Sequence, residues 1–223
     1  MLRALAVFLI LCAALNPSAR ADPVCLVELF VSKNCPACPA AQQNLVELEE
    51  TDGPFIPLIW VVDYWDYVDG PDPMAIPESA NRQRMYAEAL GIRGPYTPQL
   101  VVNGSAHVAG NRMQDVKELL SDQQSAETAR EDQISLEATA AGILLEGEAP
   151  SEPLEVWIMA VAPMERYGLN QPNAVTSVEG PYIWSGGSLE VDYQCDSRCI
   201  AVVQGEDRGR VEAVTMFGDD GPA

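Results

Sequence analysis

The sequence predicts an α/β domain followed by a small antiparallel β module. Three observations carry that reading. A β-rich apolar run at residues 24–31 leads into Cys35-Pro36-Ala37-Cys38 and a helix-like run at 40–49. A second run, apolar almost continuously from Phe55 to Asp63, reads as a central parallel strand covered on both faces. From Ile134 onward, short strand-like runs recur between Gly, Pro, Asn and Asp. With 223 residues, 48% of them hydrophobic, the chain can bury a core as one large domain or two small ones.

Residues 1–21 carry Arg3, an apolar stretch at 4–15 and Ala19-Arg20-Ala21 before Asp22, the pattern of a secretory signal with its cleavage site. The stretch is too short to span a bilayer. Leu11 stands before Cys12 where a lipoprotein signal has a small residue. Cleavage takes Arg3 and Arg20 from the 13 basic residues, leaving 11 against 33 acidic ones, and takes Cys12 from the six cysteines. Such a surface repels nucleic acid and anionic membrane, and solubility of an exported protein is its plain account.

The elements follow in order over residues 22–124. The first strand is 24–31, and the first helix opens with the two thiols in its first turn. The second strand covers 55–65, and a loop at 66–80 contains Pro71, Pro73 and Pro77. A helix at 81–90 ends at Gly91. Tyr96-Thr97-Pro98 leads into a strand at 99–102, and Asn103-Gly104 turns it into a short strand at 107–109, since Asn-Gly between apolar runs signals a hairpin. A last helix runs from Arg112 to about residue 123, completing the order β-α-β-α-β-β-α. Residues 125–133 read as a polar linker or a helix end. Strands at 134–138, 143–146, 154–162, 189–194, 200–204 and 211–217 form the β module, and 218–223 is a tail.

The strand–loop–helix order with Cys-x-x-Cys on the first helix and a proline before the third strand resembles the thioredoxin fold. That resemblance implies a cis Thr97-Pro98 bond facing the cysteines. A narrower set occurs together: Val27-Glu28-Leu29-Phe30, Cys35-Pro36-Ala37-Cys38-Pro39, Val62-Asp63-Tyr64-Trp65-Asp66, Arg82-Gln83-Arg84 with Tyr86, and Tyr96-Thr97-Pro98-Gln99 with Val102-Asn103-Gly104. Jointly these resemble a bacterial family of exported thioredoxin-like proteins of unknown function, over residues 24 to about 123. The resemblance implies a periplasmic location and supplies no substrate.

Cys35 and Cys38 admit three readings: a redox pair, an inert disulfide, or half of a zinc site with Cys195 and Cys199. A helix N-terminus favours thiolate over thiol, so the first cysteine of such a pair becomes a nucleophile at neutral pH. Cys35 is expected to be accessible and Cys38 more buried. Export favours disulfides over thiolate metal sites. Cys195 and Cys199 sit between two strands and read as a structural disulfide, with a second redox centre or a resolving partner for Cys35 as the alternative; this pairing leaves Cys25 a buried inert thiol.

Glu28, seven residues before Cys35, resembles the buried acid of thioredoxins at a spacing one residue longer. It is read either as the proton acceptor for Cys38 or as an acid in solvent or paired with an arginine. Asp63 and Trp65, at the end of the second parallel strand, fall near Cys35 and would shape a substrate groove with Thr97 and Pro98. Trp65 and Tyr67 read equally as core. Asp63, Asp66, Asp69 and Asp72 fit no calcium loop and read as solvated acids. His107, the single histidine, would complete a copper site with the two cysteines, although a satisfied hairpin histidine is the simpler account.

The functional expectation is an exported thiol–disulfide oxidoreductase acting on protein or peptide disulfides with an unidentified redox partner. It needs no dissociable cofactor, binds no nucleic acid and has no membrane span after cleavage. The rival is a non-enzymatic binding or copper-handling module using the same cysteines.

Overall fold

The computed structural model describes residues 24–51, 55–128, 134–206 and 209–218. The signal sequence expected at 1–21 lies outside the described residues, as do 129–133 of the expected linker and 219–223 of the tail.

The first half of the chain runs β1 (Cys25–Val31), α1 (Cys38–Thr51), β2 (Phe55–Val61), α2 (Asp66–Asp69), α3 (Pro77–Ala89), β3 (Gln99–Val102), β4 (Ala106–Ala109) and α4 (Met113–Thr128). The second half supplies the strands β5 (Ile134–Ala138), β6 (Gly142–Gly147), β7 (Leu154–Arg166), β8 (Leu169–Trp184), β9 (Gly187–Asp192), β10 (Arg198–Gly205) and β11 (Val211–Gly218). Eight strands form one sheet in the order β11-β10-β7-β8-β2-β1-β3-β4, and β5-β6-β9 form a second, small sheet. β1 pairs parallel with β2, β2 meets β8 in parallel at Ile59 and Ala174, and the other pairings are antiparallel.

The second half is therefore joined to the first through hydrogen bonds of one sheet, where the sequence pattern suggested a module packed against it. The joining strand, β8, is 16 residues long and lay within no expected strand. Its Asn170, Pro172, Asn173, Gly180 and Pro181 are separators by composition. Three register shifts against β7 absorb these irregular residues. Gly180, at φ +116°, crosses so close to β7 that a Cβ there would stand 2.7 Å from the Val156 carbonyl oxygen.

β1 is buried on both faces, and its period-two alternation divides the core. Cys25, Val27, Leu29 and Val31 pack with Cys35, Cys38, Ala41, Leu45 and Leu48 of the α1 side, with Val116 and Leu120 of α4, and with Met164. Leu26 and Phe30 face the opposite way, onto Trp60, Tyr86, Met159 and Ile200. The 41, 45, 48 spacing on α1 is the apolar stripe of an amphipathic helix.

Local chemistry explains where the helix ends differ from expectation. α3 begins at Pro77, four residues early, because proline at a first helical position lacks only an N–H that would go unused. It stops where Gly91 adopts φ +64°. α4 runs on to Thr128, into the expected linker, and there Glu127 accepts hydrogen bonds from Asn103 Nδ2 and Arg210. Asn103 also accepts from the Leu26 N–H at 2.8 Å, so the Asn103-Gly104 turn ties β1 to α4.

Candidate functional site

The loop leaving β1 carries Ser32, Lys33 and Asn34 into Cys35. The Cys35 N–H donates to the Ser32 carbonyl at 3.2 Å, the Cys38 N–H donates to the Cys35 carbonyl at 3.1 Å, and α1 starts at Cys38. This turn brings the two Cα atoms to 5.4 Å, and the cysteines are joined as a disulfide. Pro39, next in the helix, removes one N–H from the unpaired set at the N-terminus.

Cys35 is 2% exposed and Cys38 0%. The accessible Cys35 expected from the sequence is thus corrected for the oxidised protein. Two segments account for its burial. The first is the loop after β2, whose Trp65, Met74 and Ala75 pack into the cysteine cluster. Asn34 Nδ2 donates to the carbonyls of Trp65 and Gly70 at 3.1 and 3.0 Å. The second is the tip of the β7–β8 hairpin, where Met164 enters the same cluster and the Tyr167 hydroxyl donates to the Lys33 carbonyl at 3.0 Å.

Asp72 links both segments to the cysteine loop. Its Oδ2 accepts from the Lys33 N–H at 2.9 Å, while its Oδ1 accepts from Arg166 Nη2 at 2.7 Å and from the Met74 N–H at 3.2 Å. Asp72 is 4% exposed, so it is not one of the solvated loop acids it resembled in sequence. Sequence reasoning missed Asp72, Arg166, Tyr167 and Asn34 as parts of this site. The prolines at 71 and 73 were a signal for a fixed loop around Asp72; nothing local marks Arg166.

Of the remaining residues singled out from sequence, Thr97 and Trp65 are brought together, with Trp65 Nε1 donating to Thr97 Oγ1 at 2.8 Å. Thr97-Pro98 is cis, and buried Pro98 precedes β3. Trp65 packs on the cysteine cluster, so Thr97 joins the site through it. Asp63 is exposed, and none of the hydrogen bonds described joins it to the cysteines. Tyr67, equally readable as core, is 82% exposed and stacks on Trp65 with ring centroids 6.3 Å apart.

Glu28 belongs to the other face of β1, so the proton-acceptor role for Cys38 is corrected by the alternation of the strand itself. Its carboxylate accepts from Trp60 Nε1, from Arg82 Nε and Nη2, and from the Tyr86 hydroxyl. Glu28 and Arg82 are 0% and 3% exposed. Burial alone would push the Arg82 guanidinium down, and the adjacent Glu28 charge outweighs this and holds it above its usual range. This is the arginine-paired alternative, a structural network with every oxygen of the acid engaged.

Cys195 and Cys199 form a second disulfide, with Cα atoms 6.0 Å apart, and Cys25 is a buried free thiol whose pKa is raised chiefly by desolvation. With each pair bonded internally, neither offers thiolates to zinc. His107 Nδ1 is hydrogen-bonded to the Tyr96 hydroxyl at 2.8 Å, and burial pushes its pKa down. Among the described residues, no group of three or more His, Cys, Asp or Glu side chains is placed to hold a metal ion. No helix among them is long and apolar enough to cross a membrane.

Fold and site together define a mixed α/β protein with a disulfide at a strand–helix junction, whose leading loop is hydrogen-bonded to a hairpin from its second half. Residues 26–175 match the family described as protein of unknown function (DUF1223), and the chain belongs to it. No curated protein matches the chain. Among solved structures, protein AGR_C_4864 from Agrobacterium tumefaciens is similar at TM-score 0.74 and 22% identity, over 91% of this chain and 98% of that one. HBP35 of Porphyromonas gingivalis is similar at TM-score 0.63 and 12% identity, over 88% of this chain and 75% of that one. At these identities the likeness is one of fold.

Proposed function

We propose that the chain is an exported thiol–disulfide oxidoreductase of thioredoxin-like type, passing two electrons between the Cys35–Cys38 pair and the disulfides or dithiols of proteins or peptides. The observation that supports this most is the pair itself, closed across the turn between β1 and α1 with Cys38 as the first helical residue. In the reduced protein, Cys35 is placed where unpaired N–H groups and the positive helix end favour its thiolate. That thiolate attacks a substrate disulfide, one substrate thiol leaves, and a mixed disulfide forms at Cys35. Cys38 then attacks Cys35 Sγ, the second substrate thiol leaves, and the pair closes; two electrons have passed to the substrate. Run in reverse, the same steps oxidise a dithiol. An external redox partner resets the pair. Backbone groups beside Pro98, with Thr97 and Trp65, hold the substrate chain, and Asp63 lines the approach. The signal pattern at 1–21 supports action in the bacterial periplasm.

A second reading is favoured by burial: with Cys35 at 2% exposure, the disulfide acts as a fixed staple between β1 and α1. The test is the reduction potential of the pair combined with turnover of a disulfide peptide by wild type and Cys35→Ser. A potential well above about −300 mV, with turnover that Cys35→Ser abolishes, supports exchange. A potential below that value without turnover establishes the staple.

A further inference from the structure

We infer that Cys195–Cys199 is a second thiol-exchange centre, open to low-molecular-weight thiols that carry no negative charge. This does not rest on the function proposed for Cys35–Cys38. The contrast between the two disulfides motivates it: Cys35 and Cys38 are both buried, whereas Cys195 is half-buried and lines a cavity of about 440 Å³.

Three segments meet at that cavity. The β5–β6 turn supplies Thr139, Ala140 and Gly142, the β9–β10 connection supplies residues 193–196, and β11 ends there at Phe217 and Gly218. Ala140, Gln194, Asp196 and Gly218 are exposed, so the cavity has a mouth to solvent. Gly218, at φ +109°, brings bare backbone beside the sulfur; a Cβ there would stand 3.0 Å from Cys195 Sγ and 2.2 Å from the Ser197 carbonyl oxygen. Any other residue would crowd the sulfur and strain the backbone. Cys199, by contrast, is 1% exposed within an apolar cluster that includes Trp184, Ala201 and Phe217.

The geometry permits attack on one sulfur only. A small thiolate bonds to Cys195 Sγ, the Cys195–Cys199 bond breaks, and its electron pair leaves on Cys199 Sγ, which takes a proton to become a thiol. A second molecule of the small thiol attacks the mixed disulfide at the small-molecule sulfur. This releases a small disulfide and leaves Cys195 as a thiol after protonation. Two small thiols are oxidised and one protein disulfide is reduced. Burial of Cys199 disfavours its thiolate as a leaving group, so the step is slower than on an open disulfide.

Asp196 is the charged residue among those lining the cavity. Arg198, one residue from Cys199, is turned onto Asn173 Oδ1 of β8 at 3.3 Å and does not line it. A carboxylate about 6 Å from an incoming group in water discriminates about threefold per unit of charge at low salt. Cationic thiols are therefore preferred over neutral ones, and neutral over anionic.

The test exposes the mature wild-type protein to limiting cysteamine, 2-mercaptoethanol or 2-mercaptoethanesulfonate at low salt, then quenches with acid, alkylates and maps the peptides. Each rate is divided by that thiol's rate on bis(2-hydroxyethyl) disulfide. Expected are labelling of Cys195 and Cys199 ahead of Cys35 and Cys38, an adduct on Cys195 alone, and about a tenfold preference for cysteamine over the sulfonate. Asp196→Asn and high salt should each flatten the charge order. Prior labelling of Cys35–Cys38, an adduct on Cys199, or a charge order that is flat or reversed in wild type overturns the assignment. The wild-type measurement decides the case without a cysteine variant that risks misfolding.

Discussion

Replacing Arg166 with alanine should open the way to the Cys35–Cys38 disulfide. Arg166 and Asp72 pair at 2.7 Å with side chains 11% and 0% exposed, and the same Asp72 holds the Lys33 N–H of the cysteine loop. Removing one partner of a pair so desolvated costs about 3 kcal/mol. That cost falls on the closed form, whereas an opened form has already lost the pair. The closed-to-open ratio should then shift by about a hundredfold, at 1.4 kcal/mol per factor of ten. The assay is the rate at which excess dithiothreitol reduces the pair, read by alkylation and mass spectrometry; reduction proceeds from the opened form and reports its population. Buried Cys25 serves as the internal control, since its alkylation reports opening of β1 itself. Reduction should accelerate by about a hundredfold; opening of β1 also breaks the pair, so Cys25 labelling should rise by a similar factor while staying far slower than reduction in absolute rate. A reduction rate within about twofold of wild type would refute the idea that this contact limits access, and equal absolute rates of reduction and of Cys25 labelling would show that reduction passes through global unfolding.

Glu28→Gln should cost about 3–5 kcal/mol in urea unfolding, because it leaves the Arg82 charge buried without its partner. It should leave the reduction potential of Cys35–Cys38 unchanged; a shifted potential would return Glu28 to the cysteine chemistry. The His107 imidazole should titrate below 6.5, because burial disfavours its charged form. The unfolded chain then takes up the proton first, so stability from this group is full above about pH 6.5 and is lost as pH falls through the lower folded pKa. As the only histidine it gives one imidazole NMR titration, and a midpoint above 6.5 would contradict the sign.

What could be read from the sequence was what repeats locally. β1 and β2 announced themselves as apolar runs, Asn103-Gly104 as a turn, and the cysteine pair as a strand-to-helix junction. The face of β1 on which Glu28 falls was also within reach: Leu26, Glu28 and Phe30 stand at alternate positions of the strand, so the acid shares their side and not that of Val31 and the α1 core. β8 was hidden for the opposite reason. Its Pro, Asn and Gly residues carry turn propensity, and only the long partner β7, with its register shifts, holds them in a strand. Burial of Asp72 depends on Arg166, 94 residues away, and no local pattern encodes a contact at that separation.

That long-range contact bears on what the unit of function is. A site made only from β1, α1, the loop after β2 and the Thr97-Pro98 turn would be complete by residue 98. The hydrogen-bond chain from Lys33 through Asp72 to Arg166, and from Lys33 to Tyr167, instead runs into the second half. The family match extends from residue 26 to 175, well past α4 and just beyond Ala174, where β8 meets Ile59 of β2. It therefore takes in the hairpin tip together with the cysteine pair. Cutting the chain after α4 would remove Arg166 and Tyr167 from the cysteine loop and Met164 from the cluster that holds the disulfide, and leave the β8-facing edge of β2 unpaired, an exposed row of N–H and C=O groups along an apolar strand. The second half thus finishes the sheet and restricts the site at once, and the two roles share one hairpin.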